Sequence, residues 1–256
     1  MGSTTKRLRA IAIIIAITAG LGLAAANRAG TRGQAAQGQT PTPANCDTAP
    51  VRILFIGNSL TFGHDVPGLV QQIGASARRC VEVATFADAG TTLKMHWDRG
   101  KVQEAIRLKR WNFVVLQEQS QGWRRDPAET DAVLPRYLDL IRQNGSQPVI
   151  YMTWAWGNEF QNQPNITKFY NDLGAKHRVT VVPVGAAWQQ WLDAHPGIRL
   201  HEPDNNHANQ AGAYLAAAVF YARLFQSTPV GLANLSGLGA GDATALQETA
   251  WNAARR

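Results

Sequence analysis

The sequence contains few of the features that mark nucleotide-binding or nucleic-acid-binding proteins. It has no G-x-G-x-x-G motif and no P-loop, so neither a dinucleotide fingerprint nor a Walker-type phosphate loop is indicated. It has no run of five or more basic residues, and only 17% of its 256 residues are charged. The clustered basic surface of a nucleic-acid binder is therefore not predicted, although the net charge is +7.

Metal-ligating patterns are also scarce. None of the six histidines forms an H-x-x-x-H pair or lies near a cysteine. His201, Asp204 and His207 are close enough in sequence to ligate an ion, but the set is too small to favour a metal over other roles. We expect no metal and no cofactor.

The N-terminus has the layout of an export signal. Lys6, Arg7 and Arg9 precede an uncharged apolar run that ends in small residues at Ala24–Ala26. The alternative is a membrane anchor, for which 17 apolar residues are barely long enough. Residues 1–26 are therefore predicted to direct export to the periplasm or the extracellular space, and an uncleaved segment would be the protein's contact with a membrane. Cleavage before Asn27 would remove three basic residues and leave 22 basic and 18 acidic residues, a net charge of +4.

Residues 27–50 are rich in Ala, Gln, Gly, Thr and Pro and are predicted to form a disordered linker. Export also bears on the two cysteines, because an oxidising compartment permits a disulfide. Cys46 precedes the first predicted strand and Cys80 precedes the second. If those strands are parallel neighbours, both cysteines lie at one edge of the sheet, and we expect a Cys46–Cys80 bridge.

From Val51 onward, short β-branched runs alternate with longer segments of helical period. The predicted strands are Val51–Ile56, Val81–Phe86, Phe113–Leu116, Val149–Met152 and Val179–Val184. The main predicted helices are Val66–Arg79, Pro127–Asn144, Gln161–His177 and Ala208–Phe225. This alternation predicts an open, doubly wound α/β domain over residues 51–230, followed by a tail over 231–256.

In open parallel sheets, ligands bind at the carboxyl ends of the strands. Ser59 follows the first predicted strand, Gly90 follows the second, and a cluster of amides containing Gln117 and Gln119 follows the third. Each has an ordinary structural explanation: a helix cap, a turn glycine or a polar turn. A serine hydroxyl, backbone N–H groups and side-chain amides also form the nucleophile and oxyanion donors of an acyl-transfer site.

The strongest pattern is Asp204 with His207, three residues apart before the last predicted helix. Alone, Asp204 would be interpreted as a helix cap. Together with a serine at the first strand end, the pair indicates a Ser59–His207–Asp204 triad.

These residues resemble the site blocks of the SGNH (GDSL-like) hydrolase superfamily over roughly residues 51–225. Ser59, Gly90 and the Asp204–His207 pair match its first, second and fourth blocks. The third departs, because Gln117-Glu118-Gln119-Ser120-Gln121 stands where G-x-N-D is expected, as in a branch with an LQEQS-type block. The resemblance implies a flavodoxin-like three-layer α/β/α sandwich with a five-stranded parallel sheet in the order 2-1-3-4-5.

The resemblance implies a serine esterase whose oxyanion donors are the N–H groups of Ser59 and Gly90 and the amide of Gln117 or Gln119. Gln121 falls at the asparagine position in a gapless alignment. Several tryptophans near strand ends, Trp97, Trp123, Trp154, Trp156 and Trp188, suggest an O-acyl group on a carbohydrate, although most buried tryptophans are core. The alternatives are an acyltransferase that uses the same acyl-enzyme, and a carbohydrate-binding module that retains the fold without catalysis.

Overall fold

The computed structural model describes residues 49–256. The predicted signal segment, nearly all of the predicted linker and Cys46 of the predicted disulfide lie outside the described residues. Cys80 lies within them and is buried directly before the second strand.

Five parallel strands form one sheet in the order 2-1-3-4-5, which confirms the predicted fold class. The strands are β1 (Val51–Gly57), β2 (Val81–Ala87), β3 (Phe113–Leu116), β4 (Gln147–Tyr151) and β5 (Thr180–Val182). Each predicted strand is present, with ends shifted by at most two residues. The two hydrogen-bonded neighbours of β1 are β2, with Val51 opposite Val81, and β3, with Ile53 opposite Phe113.

Helices cover both faces of the sheet. They are α1 (Ser59–Phe62), α2 (Val66–Ser76), α3 (Leu93–Asp98), α4 (Lys101–Arg107), α5 (Gly122–Arg125), α6 (Pro127–Gln143), α7 (Gln163–His177), α8 (Val184–Ala194), α9 (Gln210–Phe225) and α10 (Ala240–Ala254). Because successive residues of a strand point to opposite sides, Ile53 and Phe55 face a core formed with α2, α8, α9 and α10, whereas Leu54 and Ile56 face a core formed with α3, α4, α6 and α7. Short 3₁₀ segments span Gly63–Asp65 and Gly157–Asn162.

Two sequence-based expectations need correction. Residues 240–254 form α10 and contribute Leu246 and Ala250 to the core, so the predicted tail is part of the domain. Its buried face is mostly alanine, a residue that gives little apolar contrast in a sequence. The last predicted helix begins at Gln210 with Asn209 as its cap, so His207 lies in the preceding loop. Within residues 49–256, no helix is both long and apolar enough to cross a membrane.

Candidate active site

The turn after β1 fixes Ser59 at the rim of the sheet. Asn58 has an extended backbone, and its side-chain oxygen accepts from the N–H of Leu60 at 3.1 Å, which caps α1. The amide nitrogen of Asn58 donates to the carbonyl of Thr91 at 3.1 Å. Asn58 is 2% exposed, so one buried side chain joins the segments that follow β1 and β2. Ser59 is the first residue of α1.

Asp204 and His207 lie in a closed loop before α9. Its ends pair through an isolated bridge between His201 and Ala208, and the N–H of Glu202 donates to the carbonyl of His207 at 2.8 Å. Inside the loop, Oδ1 of Asp204 accepts from the N–H groups of Asn206 and His207 at 2.9 and 3.0 Å. The backbone therefore orients the Asp204 carboxylate, and its second oxygen remains for the imidazole.

The structure brings Ser59, His207 and Asp204 into one hydrogen-bonded chain. Nδ1 of His207 lies 2.6 Å from Oδ2 of Asp204, and Nε2 of His207 lies 2.8 Å from Oγ of Ser59. With its proton on Nδ1, His207 donates to Asp204, and Nε2 accepts from the serine hydroxyl. The hydrogen bond from His207, helped by the loop N–H groups, lowers the pKa of Asp204 to about 2. This arrangement can remove a proton from Ser59.

Ser59 and Gly90 carry the backbone N–H groups that the sequence predicts as oxyanion donors. Among the described residues, neither N–H group has a hydrogen-bond acceptor. Gly90 has a φ of 68°, and a Cβ there would meet nothing within 4 Å. The glycine is therefore required by its backbone conformation, whereas the space beside it is open.

The two candidate glutamines differ in their surroundings. Gln117 is fully buried: its Oε1 accepts from the Asn58 N–H at 2.8 Å and from the Thr61 hydroxyl at 2.9 Å, and its Nε2 donates to the carbonyl of Glu118. Gln119 is half-buried, and its Nε2 makes only a 3.3 Å contact with Oγ of Ser120. Its Oε1 accepts from the Gln121 N–H at 2.7 Å. Gln121 itself is buried, with no partner for its side-chain oxygen among residues 49–256.

Two further buried polar residues adjoin the site, and sequence reasoning assigned neither of them a role. His96, on α3, lies 2.7 Å through Nε2 from the carbonyl of Gly57, and burial lowers its pKa, which favours the neutral ring that donates to that carbonyl. Glu118 accepts from the N–H of Gln119 at 2.6 Å and from that of Leu93 at 3.4 Å, and burial raises its pKa to about 7. Local sequence gives no signal for His96, because its partner is 39 residues away.

The five tryptophans near strand ends fall into a buried group and a half-buried group. Trp154 and Trp188 are almost fully buried and stack at 4.1 Å, so they belong to the core. Trp97 is half-buried and packs edge-on against Tyr137. Trp123 and Trp156 are also half-buried, but they flank the exposed Arg124, whose guanidinium carbon lies 5.7 and 6.0 Å from their ring centroids.

Trp156 and the next residue, Gly157, contact two loops at the carboxyl edge of the sheet. The indole N–H of Trp156 donates to Oγ of Ser120 at 3.3 Å, and the N–H of Gly157 donates to the carbonyl of Asn205 at 2.7 Å. Trp156 therefore lies between the segment that follows β3 and the loop that carries Asp204. Arg124 forms an ion pair with Glu159 at 2.7 Å on the same rim.

The structure gives no support to a metal site in the part of the chain that it describes. No group of three or more His, Cys, Asp or Glu side chains among residues 49–256 is arranged to hold an ion. His201, which the sequence places near Asp204 and His207, is buried and lies 2.9 Å through Nε2 from the carbonyl of Ala155.

Comparison with solved structures identifies the fold. A DUF4886 family protein from Bacteroides uniformis superposes with a TM-score of 0.71 at 17% identity, covering 80% of this chain and 95% of that protein. A putative SGNH hydrolase from Slackia heliotrinireducens has a TM-score of 0.58 at 25% identity, covering 68% and 98%. The chain has the fold of the SGNH hydrolases. The resemblance to the SGNH superfamily seen in the sequence is thereby confirmed, whereas the branch with an LQEQS-type block stays a prediction.

Another SGNH-fold neighbour is a variant of Axe2, an acetyl-xylooligosaccharide esterase from Geobacillus Stearmophilus. It superposes with a TM-score of 0.50 at 18% identity, covering 66% of this chain and 91% of that protein. Neither the family models nor the curated protein sequences give a match. The likeness to SGNH hydrolases therefore rests on the sequence blocks and on the structure.

Proposed function

We propose that the protein is a serine esterase that hydrolyses carboxylic esters through an acyl-enzyme. The observation that carries the proposal is the continuous contact from Ser59 Oγ through the His207 imidazole to Asp204, at 2.8 and 2.6 Å. The structural neighbours, which include named hydrolases and an esterase, support an ester-bond hydrolase.

The geometry supports a two-step reaction. His207 Nε2 takes the Ser59 proton as Oγ attacks the ester carbonyl, and the imidazolium that forms is stabilised by the ionised Asp204. The imidazolium then protonates the departing alcohol, which leaves an acyl group on Ser59. A water molecule, deprotonated by the same nitrogen, attacks this acyl group and releases the acid. During both steps the N–H groups of Ser59 and Gly90 donate to the oxyanion.

We assign the third oxyanion donor to Gln119 rather than Gln117. The amide oxygen of Gln117 faces two donors below the Ser59 turn, which directs its NH₂ group to the Glu118 carbonyl and away from a substrate. The half-buried Gln119 has an amide nitrogen held only by the long contact with Ser120. That nitrogen therefore keeps a proton that it can donate to an oxyanion.

The proposed substrate is an O-acyl group on a carbohydrate. Trp156 offers a half-buried aromatic ring that contacts Ser120 on the segment after β3, with Trp123 on the other side of Arg124, and aromatic faces stack on sugar rings. Arg124 and Glu159 form an ion pair with each other on that rim, so a neutral sugar would meet donors and acceptors without a large net charge. That one neighbour of the same fold is named for acetylated xylo-oligosaccharides agrees with this substrate class.

Covalent labelling tests the function. The purified protein and its Ser59→Ala variant are incubated with p-nitrophenyl acetate and with a fluorophosphonate probe, and the label is located by peptide mass mapping. We expect labelling at Ser59 and hydrolysis that the variant loses. An unlabelled wild-type protein with the variant's background rate would contradict the esterase assignment and favour a binding module.

Product analysis then separates hydrolysis from transfer to a sugar hydroxyl. Acetylated xylo-oligosaccharide is incubated with the enzyme and an unacetylated acceptor sugar. We expect free acetate and an acceptor that remains unmodified. Acetylated acceptor in place of free acetate would identify an acyltransferase.

We also propose that the protein is exported and that Cys46 pairs with Cys80. The support comes from the sequence, with its basic and apolar N-terminal segment and the position of Cys80 directly before β2. Cell fractionation tests the export, and non-reducing mass mapping of the exported protein tests the bridge. Two free thiols in that material would contradict the pairing.

A further inference from the structure

Polar side chains that are almost fully buried lie in the Ser59 turn and on the segments that are hydrogen-bonded to it. Their burial is unusual for such groups, because removing a polar group from water is unfavourable unless it is hydrogen-bonded. The members are at most 4% exposed: Asn58, Thr61, Thr91, His96, Gln117 and Glu118. The reaction as described uses none of these side chains, so their burial needs another explanation.

Gln117 has the largest number of contacts with the turn. Its amide oxygen accepts from Asn58 N–H and from the Thr61 hydroxyl, which lie on either side of Ser59 in the chain. A Cβ on Gly57 would overlap with both the Gln117 oxygen and the Thr61 hydroxyl. The glycine before Asn58 therefore makes room for the Gln117 amide, and the turn and the amide fit each other.

The amide group also connects the turn to the other loops of the site. Gln117 Nε2 donates to the Glu118 carbonyl, and the Glu118 side chain accepts from the Gln119 N–H and from Leu93 N–H at the start of α3. His96, also on α3, lies 2.7 Å from the Gly57 carbonyl. The segments that carry Ser59, Gly90 and Gln119 are thus joined by buried hydrogen bonds.

We propose that Gln117 is a positioning residue, which sets the Ser59 hydroxyl relative to His207 by holding the Asn58 N–H before the serine and the Thr61 hydroxyl after it. This role rests on the proposed function, because it presumes that Ser59 is the nucleophile. The segment after β3 would then have two roles: Gln119 donates to the oxyanion, and Gln117 holds the Ser59 turn. Displacements of about 1 Å at a reacting group cost on the order of a hundredfold in rate, so a small shift of the turn is measurable.

The test compares Gln117→Met with a matched control, Gln163→Met. Gln163 is also a buried glutamine whose Oε1 accepts from a backbone N–H, that of Ala155 at 2.7 Å, but it contacts no residue of the Ser59 turn. Methionine has nearly the same length as glutamine and lacks the amide. The readouts are kcat and KM for p-nitrophenyl acetate, the rate constant of fluorophosphonate labelling at Ser59, and the melting temperature.

We expect Gln117→Met to lower kcat and the labelling rate constant by about tenfold or more, with KM changed by less than about threefold. Gln163→Met should lower the melting temperature and leave both rates within about twofold of wild type. A folded Gln117→Met variant that labels at the wild-type rate would overturn the proposal. So would equal losses of rate in the two variants. If the wild-type protein does not label, the esterase function fails first, together with this role.

Gln117→Glu supplies a second test that does not depend on the methionine variant folding. A protonated carboxyl keeps one accepting oxygen and one donating O–H, as the amide does, whereas an ionised carboxylate directs an oxygen at the Glu118 carbonyl. Burial raises the pKa of the introduced carboxyl. The ratio of variant to wild-type labelling rate constants should therefore rise as the pH falls from 8 to 5. A ratio that is flat across that range, in a protein with an unchanged circular dichroism spectrum, would overturn the proposal.

Discussion

Residues 49–256 contain two aspartate–histidine pairs with the same contact distance and very different surroundings. Asp204 and His207 lie in the loop before α9, and Asp131 and His177 lie on α6 and α7. In both pairs a ring nitrogen is 2.6 Å from a carboxylate oxygen. In both, hydrogen bonds to the carboxylate lower the pKa of the aspartate.

The difference lies in what each histidine meets on its other side. The second ring nitrogen of His207 is 2.8 Å from Ser59 Oγ, whereas that of His177 has no partner among residues 49–256. Asp131 is instead shared with the ammonium of Lys176. An aspartate beside a histidine is therefore not a catalytic site by itself. The Asp204–His207 pair differs because the carboxyl ends of the strands converge where it lies.

The largest expected effect comes from removing the serine or the histidine of the first pair. Ser59→Ala and His207→Ala should each lower kcat/KM for p-nitrophenyl acetate by at least about 10⁴-fold, because the nucleophile and its base act as a unit. His177→Ala should leave kcat/KM within about twofold of wild type. Steady-state kinetics on the three folded variants makes the comparison. Comparable losses of kcat/KM in His177→Ala and His207→Ala would contradict the assignment of Asp204 and His207 as the catalytic pair.

Replacing each aspartate with asparagine tests whether the carboxylate orients the histidine of its pair. Asp204→Asn should lower kcat by about 10⁴-fold, since an asparagine amide can donate to Nδ1 of His207 and then favours the wrong tautomer. Asp131→Asn is the matched control and should leave kcat unchanged. The measurement is kcat at saturating substrate across pH 6–9. Full activity of Asp204→Asn would show that the Asp204 carboxylate does not orient the imidazole.

A third variant tests what the His177 pair lacks, a donor for the oxyanion. Gln119→Ala should lower kcat by about a hundredfold with a smaller change in KM, which is the usual cost of removing one oxyanion donor. Gln121→Ala, on the same segment, is the comparison variant, because the sequence alone left Gln121 as an alternative. A larger loss of kcat in Gln121→Ala than in Gln119→Ala would move the donor to Gln121.

The smallest expected effect concerns stability at the second pair. Hydrogen bonds from Lys176 and His177 lower the pKa of Asp131, so the folded state favours its ionised form. The stabilisation is present above the ordinary aspartate pKa of about 4 and is lost as the pH falls through the lowered value. Wild type should melt about 2–4 °C above Asp131→Asn at pH 6, which corresponds to roughly 1 kcal/mol for a partly exposed ion pair.

Thermal melts of the two proteins between pH 6 and pH 3 check this expectation. The difference in melting temperature between wild type and Asp131→Asn should decrease as the pH falls toward 3. A difference that increases as the pH falls would mean that the sign of the pKa shift is wrong.

Much of the fold follows from local sequence. The five strands are short β-branched runs, largely buried in the three central strands β1, β3 and β4, and this pattern predicts all five to within two residues of their ends. The sequence predicts a tail where α10 lies, because alanine makes up most of the buried face of this helix and its apolar period is faint. The sequence also predicts too early a start for α9, because Asp204 and Asn209 both have the chemistry of a helix cap and only Asn209 serves as one.

The site residues also divide into those that the sequence identifies and those that it leaves unresolved. Ser59, Asp204 and His207 could be named from residue type and from their order along the chain, because strand ends in a parallel sheet meet at one rim. The roles of Gln117 and Gln119 could not be separated from the sequence, since neighbouring residues of one chemistry carry no information about direction. Burial separates them: one amide lies beneath the Ser59 turn, and the other lies beside it.

The amino-acid sequence by itself determined the alternation of strands and helices, the positions of the polar residues at the strand ends and the spacing of Asp204 and His207, because these depend on neighbours along the chain. Tertiary structure decided which of two aspartate–histidine pairs meets a serine, and which glutamine supports the turn. The contact between Ser59 and His207 joins residues 148 apart in the chain. Only the packing of the strands and helices against one another sets such a distance.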